Sequence, residues 1–260
     1  MRVISSNIRF DNPADGDCAW PNRKELLADV LLKLEPDVIA TQEGWGRQVR
    51  ELVALLPGFR IVDEHRDWIE SRMYPCIIVR EDHVDVRDSG DFWLSATPQV
   101  PESSSFGSYF PRLLTWAVLG DRRTDKSVVF ANMHLDNGPK QARVEQAKVA
   151  GRELNAARPQ DVPVIIAGDF NAPPDGEVRQ VFLEYIPQLV DPWTRLGKAE
   201  EASFHGFGRN LNDDIARIDW ILLDKRLRCH NIHLDKSSRG ALTPSDHYPV
   251  VCDFDVPPAP

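Results

Sequence analysis

Val164-Ile165-Ile166-Ala167-Gly168-Asp169-Phe170-Asn171 runs four apolar residues into a glycine, a carboxylate and, one phenylalanine later, a carboxamide. No polar residue alternates within the apolar run, so it reads as a strand covered on both faces. Seven other segments read as buried strands: Arg2–Asn7, Val38–Gln42, Cys76–Val79, Trp116–Leu119, Val128–His134, Asp219–Leu223 and Val250–Phe254. Helices alternate with some of them. Leu26, Leu27, Val30, Leu31 and Leu34 recur at helical spacing behind Asn22 and Glu25, which resemble a capping pair. A second helix is expected over Lys140–Ala157, with Val144, Ala147, Ala150 and Leu154 on one stripe. Many short strands, few helices and long polar loops predict an α/β (α+β) fold of packed sheets with helices outside.

The 260 residues are 42% hydrophobic and 27% charged, which excludes a disordered, collagenous or membrane-bundle chain. No repeat or interdomain linker interrupts them, so one domain is expected over 1–256, with 257–260 as an extended tail. Ser95–Pro111, with three prolines and a serine run, reads as a surface loop of that domain. A net charge of −9 argues against a chain held on duplex nucleic acid by counterion release. The four cysteines form no CxxC pair, which disfavours structural zinc and thioredoxin-type chemistry. After two apolar residues the N-terminus reaches Ser5-Ser6-Asn7, unlike a secretory signal, and no uncharged run approaches the ~20 residues of a membrane span. Cytoplasmic residence without membrane insertion is therefore expected.

Polar groups collect at the ends of the predicted strands. Asn7 closes the first and Gln42-Glu43 the second. His134-Leu135-Asp136 and Asp169-Phe170-Asn171 follow two more, Asp219 opens another, and Ser245-Asp246-His247 precedes the last. Any one of these is an ordinary turn residue; sheets sharing a rim would gather them all into one cleft. Glu43, Asp246 and the Asn7 carboxamide are oxygen donors, which suit Mg²⁺ or Mn²⁺ better than zinc. Asp169, with Asn171 two residues on, has the chemistry to orient or deprotonate a water. His247 can stabilise charge on a phosphoryl oxygen while Asp219 holds its imidazole charged. This is the residue set of metal-assisted hydrolysis. Ser245, Asp246 and His247 are consecutive and cannot form a nucleophilic triad, and no GxSxG, Walker loop or GxGxxG occurs.

Gln42-Glu43, Gly168-Asp169-Phe170-Asn171, Arg217-Ile218-Asp219 and Ser245-Asp246-His247, in that order, resemble the endonuclease/exonuclease/phosphatase superfamily. The resemblance runs from Asn7 to the C-terminal strand. It implies a four-layer α/β/β/α sandwich of two packed mixed β-sheets flanked by helices, with the active site at one rim. It further implies Glu43 as principal metal ligand with Asn7 and Asp246 nearby, Asp169 and Asn171 serving the attacking water and phosphate, and Asp219 paired to His247. His134 matches the family histidine that contacts the scissile phosphate or protonates the leaving group. Ser6–Asn12, Phe92–Ser95, Asn132–Asp136 and Ser203–Phe207 are similar to small bacterial stand-alone members grouped with the deadenylase-like branch. Met133 departs from the Thr or Ser usual before the histidine.

Arg112 and Arg143 are candidates for binding a substrate phosphate, although Arg143 on a helix also suits a surface ion pair. Tyr109 is a candidate from the loop before Arg112, and His205 either caps the cleft or is a loop histidine. Trp116 and Trp220 lie inside apolar strands and read as core; Trp20, Trp45 and Trp93 lie near the predicted site loops and are stacking candidates. The expected activity is Mg²⁺- or Mn²⁺-dependent hydrolysis of a phosphomonoester or phosphodiester, a small or short substrate favoured. The alternatives are a nuclease acting on short single-stranded RNA or DNA, and a catalytically silent binding module. No feature points to a protein partner.

Overall fold

The computed structural model describes residues 1–209 and 216–256; the expected tail at 257–260 lies outside the described residues. The chain opens with β1 (Arg2–Asn7), α1 (Trp20–Lys33), β2 (Val38–Trp45) and α2 (Gly46–Ala54). Next come β3 (Phe59–Ile61), β4 (Met73–Arg80), β5 (Val84–Trp93), β6 (Leu113–Asp121) and β7 (Lys126–His134). The second half holds α3 (Lys140–Ala157), β8 (Val164–Asp169), α4 (Glu177–Tyr185), β9 (Leu189–Val190) and α5 (Pro192–Arg195). It ends with β10 (Asp219–Asp224), β11 (Arg228–Leu234) and β12 (Val250–Asp255). Two six-stranded sheets result, ordered β11-β12-β1-β2-β4-β3 and β5-β6-β7-β8-β10-β9.

Side-chain alternation along the strands makes the layers. In β8, Ile165 and Ala167 face the other sheet, while Val164 and Ile166 join Val144, Ala147, Leu154 and Phe182 beneath α3 and α4. In β1, Val3 faces the inter-sheet core and Ile4 packs with Leu27, Leu31, Val49 and Leu52 beneath α1 and α2. Three apolar layers therefore separate helices, sheet, sheet and helices, the four-layer sandwich that the resemblance implies.

Both sheets are mixed. β1 pairs in parallel with β2, and β7 with β8, while the other neighbours run antiparallel. The connections β1-α1-β2 and β7-α3-β8 send both parallel pairs in one direction, so four strand C-termini reach the rim where ligands of such sheets bind. Gly168 brings the second pair close: its φ is +154°, and a Cβ there would lie 2.1 Å from the Met133 carbonyl oxygen. Met133 itself is buried in the core beneath α3 and α4, away from the rim.

The helix over Lys140–Ala157 lies where the spacing places it. α1 begins earlier than the Asn22–Glu25 pair suggests, with Ala19 as its N-cap and Pro21 in its first turn. Asn22 Nδ2 instead donates back to the carbonyls of Gly16 (3.5 Å) and Asp17 (3.3 Å). Trp116 and Trp220 are core residues as expected, and so is Trp20, which is 1% exposed and hydrogen-bonded to Glu51, so it is no stacking platform. Among the described residues no helix is long and apolar enough to cross a membrane.

One buried ion pair clamps the sheets beside the rim. Arg66 donates to Asp91 on β5 through Nε (2.7 Å) and Nη2 (2.9 Å), and also reaches the Pro75 carbonyl on β4 and Thr115 Oγ1 on β6. Burial disfavours the Asp91 carboxylate, but Arg66 and His65 outweigh it and hold the carboxyl at about 2. Because this lies below the usual 3.8, its stabilisation is complete above pH ~4 and is lost as pH falls toward 2. Asp91→Asn, which strands the Arg66 charge, should cost about 3–5 kcal/mol at neutral pH. Urea unfolding should show that difference narrowing as pH falls from about 4 toward 2; a pH-independent difference would contradict this account of the clamp.

Candidate active site

The rim encloses a cleft of about 650 Å³ lined by Glu43, Asp169, Asn171, His134, Asp246 and His247, with Arg9, Arg112 and several aromatic rings around them. Strand register explains the convergence: Asn7 lies opposite Gln42, His134 opposite Asp169, and Asp169 opposite Asp219. Glu43 needs one more device. A bulge in β2 between Thr41 and Gly44 puts it at φ +67°, turning its carboxylate out of the strand's alternation.

Asn7 joins the sheets at this point. Its Nδ2 donates to Glu43 Oε1 (3.1 Å) and Asp169 Oδ2 (3.0 Å), while its Oδ1 accepts from the Arg9 amide (2.9 Å). One ligand atom each from Glu43, His134 and Asp169 lies within 4.8 Å of the others, and the same holds for Asp169, Asp219 and His247. Asp246 also lines the cleft, with Ser245 Oγ at 3.3 Å and Arg9 Nε at 3.7 Å.

Asp219 accepts from His247 Nδ1 at 2.8 Å, and its other partner is Ser203 Oγ at 2.7 Å. Burial pushes the His247 ring down, but the carboxylates of Asp219, Asp169 and Asp246 outweigh it and raise it to about 10. Burial and the facing Asp219 push Asp169 up to about 7, against the pull of His247. His134 has the opposite environment: burial, Arg112 and His247 keep it well below the usual histidine range. Its Nδ1 lies 3.0 Å from Arg112 Nη1, and its Nε2 lies 3.0 Å from Asn171 Nδ2. Asn171, at φ +48°, returns its backbone N–H to Asp169 Oδ1 at 2.9 Å.

The structure separates three substrate-binding candidates from the cleft lining. Tyr109 is 66% exposed, and its amide caps Asp136. Arg143 donates to the carbonyls of Asp136 and Gly138, pinning the loop after β7. His205 stacks on Tyr248 at 4.3 Å, behind the Asp246 backbone. Trp45 lines the cleft, whereas Trp93 packs toward the core beneath α1 and α2.

Arg23, Arg9 and Ser203 were not singled out by sequence. Fully buried Arg23 donates to the carbonyls of Ile8, Arg9 and Pro244, tying the loop after β1 to the loop carrying Asp246. Its signal was available: an arginine on the same helical stripe as Leu26, Leu27 and Val30 is a buried cation in need of partners. Ser203 also accepts from the amides of Ile218 and Asp219, both at 3.0 Å, which fixes the start of β10.

NMR titration tests the Asp219–His247 pair. His247 should remain protonated through neutrality and titrate near 10, while Asp219→Asn should lower it, because the largest opposing charge and the Nδ1 bond are lost while burial remains. Its charged form stabilises the fold fully below pH 6.5, and that contribution is lost as pH rises toward about 10. An unchanged titration in the variant would assign the shift to another group.

A family model described as Endonuclease/Exonuclease/phosphatase family matches residues 4–247. The structure is similar to that of a mannosyl-6-phosphatase from Bacteroides thetaiotaomicron, 28% identical, with a TM-score of 0.85 over 98% of this chain and 99% of that one. It is also similar to an endonuclease/exonuclease/phosphatase from Bacteroides vulgatus, 26% identical, with a TM-score of 0.90 over 98% of each chain. Carbon catabolite repressor protein 4 homolog 3 of Arabidopsis thaliana is 26% identical over 168 residues, 60% of this chain. The chain spans about a third (34%) of that relative's length. With sheet order, rim and family match in agreement, the chain belongs to the endonuclease/exonuclease/phosphatase family, whose members hydrolyse phosphate esters.

Proposed function

We propose that the chain is a Mg²⁺- or Mn²⁺-dependent phosphatase of small phosphomonoesters, sugar phosphates foremost. The observation that carries this reading is the cleft's supply of positive charge. Arg9 is tied to Asp15 by two 3.0 Å bonds, and Arg72 is tied to Glu102 at 2.5 Å. Arg112 is less committed, its nearest carboxylate oxygen being 3.9 Å away on Asp136. Arg112 and charged His247 together suit one phosphate rather than a polyanionic strand. The likeness to a mannosyl-6-phosphatase over nearly the whole of both chains supports a sugar phosphate.

The donor set fits a hard cation: Glu43 and Asp246 line the cleft with carboxylate oxygens, and one atom each of Glu43, His134 and Asp169 lies within 4.8 Å of the others. Glu43 would hold it, with Asn7 and Asp246 nearby. When bound, such an ion supplies positive charge against the phosphoryl oxygens. The remaining chemistry belongs to side chains. Asp169, near neutrality in its proton affinity and oriented by Asn7 and Asn171, takes a proton from the attacking water. The His247 imidazolium presents Nε2, 4.0 Å from Asp169 Oδ2, to charge developing on phosphorus-bound oxygen. Neutral His134 acts as a positioning group between Arg112 and Asn171, and its depressed proton affinity argues against the general-acid role.

EDTA should abolish hydrolysis of a hexose phosphate, and Mg²⁺ or Mn²⁺ should restore it. Asp169→Asn should lower kcat by roughly 10²–10⁴ even with metal in excess, whereas Glu43→Ala should recover partly as Mn²⁺ is raised. Full turnover in chelator, or equal metal rescue of both variants, would refute the assignment.

Substrate size provides a separate check. For a substrate held through one phosphate, log kcat/KM should fall with log salt at a slope of about −1 to −2, each neutralised duplex phosphate being worth about −0.9. Long duplex DNA should be the poorer substrate. A steeper slope, or preference for the duplex, would favour a nuclease and leave the phosphoesterase chemistry intact.

A further inference from the structure

Beside the catalytic cleft lies a second pocket of about 430 Å³, walled by Asp11, Trp45, Arg47, Arg50, Trp68 and Glu70. Trp45 lines both. It stands two residues beyond Glu43, where β2 passes into α2, and so joins the catalytic cleft to this pocket. Among the described residues no ring or guanidinium stacks on Trp45.

The pocket is built rather than incidental. Gly46 provides the floor: a Cβ there would meet Trp68 Cε3 at 2.9 Å and Arg50 Nη1 at 3.2 Å. Trp68 is held by Nε1 donation to Asp63 (2.8 Å) and by edge contact with Tyr74 (4.9 Å). Arg50 lies over the Trp68 ring at 4.7 Å, which fixes a guanidinium on the pocket wall. Arg47 bonds Asp11 (2.7 Å) and Glu51 (2.6 Å). Two arginines face two carboxylates, Asp11 and Glu70, so the lining carries no net charge and offers both donors and acceptors. That balance disfavours a second phosphate and suits a neutral polyhydroxylated ring. A free indole face complements the C–H face of such a ring.

We propose that this pocket is a saccharide subsite, which binds a neutral sugar unit attached to the phosphate-bearing one, with the sugar ring on Trp45 and its hydroxyls on Arg50, Asp11 and Glu70. The proposal rests on the sugar-phosphatase reading. Binding to this remote unit would hold the reacting one in register.

The test compares a hexose 6-phosphate with the same unit glycosidically linked to a second hexose. The disaccharide phosphate should show about tenfold higher kcat/KM, a factor in keeping with one well-stacked ring. Trp45→Ala and the exposed-site variant Arg50→Ala should each bring that ratio toward one. The corresponding unphosphorylated disaccharide, added alone, should quench tryptophan fluorescence in the wild type and not in Trp45→Ala. If both phosphates turn over equally and the free disaccharide does not quench, the subsite is refuted and the phosphatase reading stands. If neither sugar phosphate turns over but the disaccharide quenches through Trp45, the subsite stands and the substrate assignment falls. Quenching by a free nucleoside instead of the disaccharide would overturn the saccharide proposal.

Discussion

Gln42 Nε2 donates to Asn132 Oδ1 at 2.7 Å across the interface between the two sheets, with both side chains fully buried. Each amide is anchored in its own surroundings. Gln42 also reaches Ser5 Oγ on β1, and Asn132 Nδ2 donates to the carbonyls of Thr41 (2.9 Å) and Cys76 (2.8 Å) on the facing sheet. An apolar interface of Val, Ile and Ala would let two sheets slide at little cost, because dispersion is not directional. Buried amides lose their partners if the sheets shift by one residue, so they set the register. Gln42 precedes Glu43, and Asn132 precedes His134 by two, so the bond that aligns the sheets also aligns the site. The Asn7 bridge between Glu43 and Asp169 is then the consequence at the rim.

The alignment creates an electrostatic problem. Asp169 and Asp219 lie directly opposite each other on neighbouring antiparallel strands, a placement that like charges ordinarily disfavour. His247 answers it from a different loop, bonded to Asp219 and 4.0 Å from Asp169. Burial, together with the part of the Asp219 charge that His247 leaves uncompensated, raises the proton affinity of Asp169. A base and a charged donor, each tuned by the other, thus follow from one strand register plus one histidine.

All eight strands legible in the sequence occupy the interior of the two sheets. The four that escaped it, β3, β5, β9 and β11, are the four edges. Interior strands need apolar residues on both faces, whereas an edge strand such as β5 carries Asp85, Arg87 and Asp88 without penalty because water reaches them. The groups collected at the rim were legible for a related reason: a polar residue ending a buried strand breaks a pattern. Arg143 and His205 were harder because both lie in polar segments, where spacing cannot say which way a side chain turns. Arg143 was claimed by loop carbonyls and His205 by the Tyr248 ring.

Backbone conformation concentrates where the chemistry does. Arg9, Glu43 and Asn171 all line the cleft with φ between +48° and +67°, a region that costs a non-glycine residue free energy. Each is held there by bonds that a relaxed backbone would break. The Arg9 amide bonds Asn7 Oδ1 (2.9 Å), Glu43 Oε1 accepts from Asn7 Nδ2 (3.1 Å), and the Asn171 amide bonds Asp169 Oδ1 (2.9 Å). Two of the three bonds end on Asn7, and its Nδ2 also reaches Asp169, the acceptor in the third. Asn7 is buried at the end of β1, which lies in the interior of its sheet between β12 and β2. The strained loops therefore take their geometry from an interior strand, the part of the molecule least free to move. Arg72 and Phe110 line the same cleft from outside the regular strands, so substitutions there reshape its wall while the carboxylates keep the geometry that Asn7 imposes.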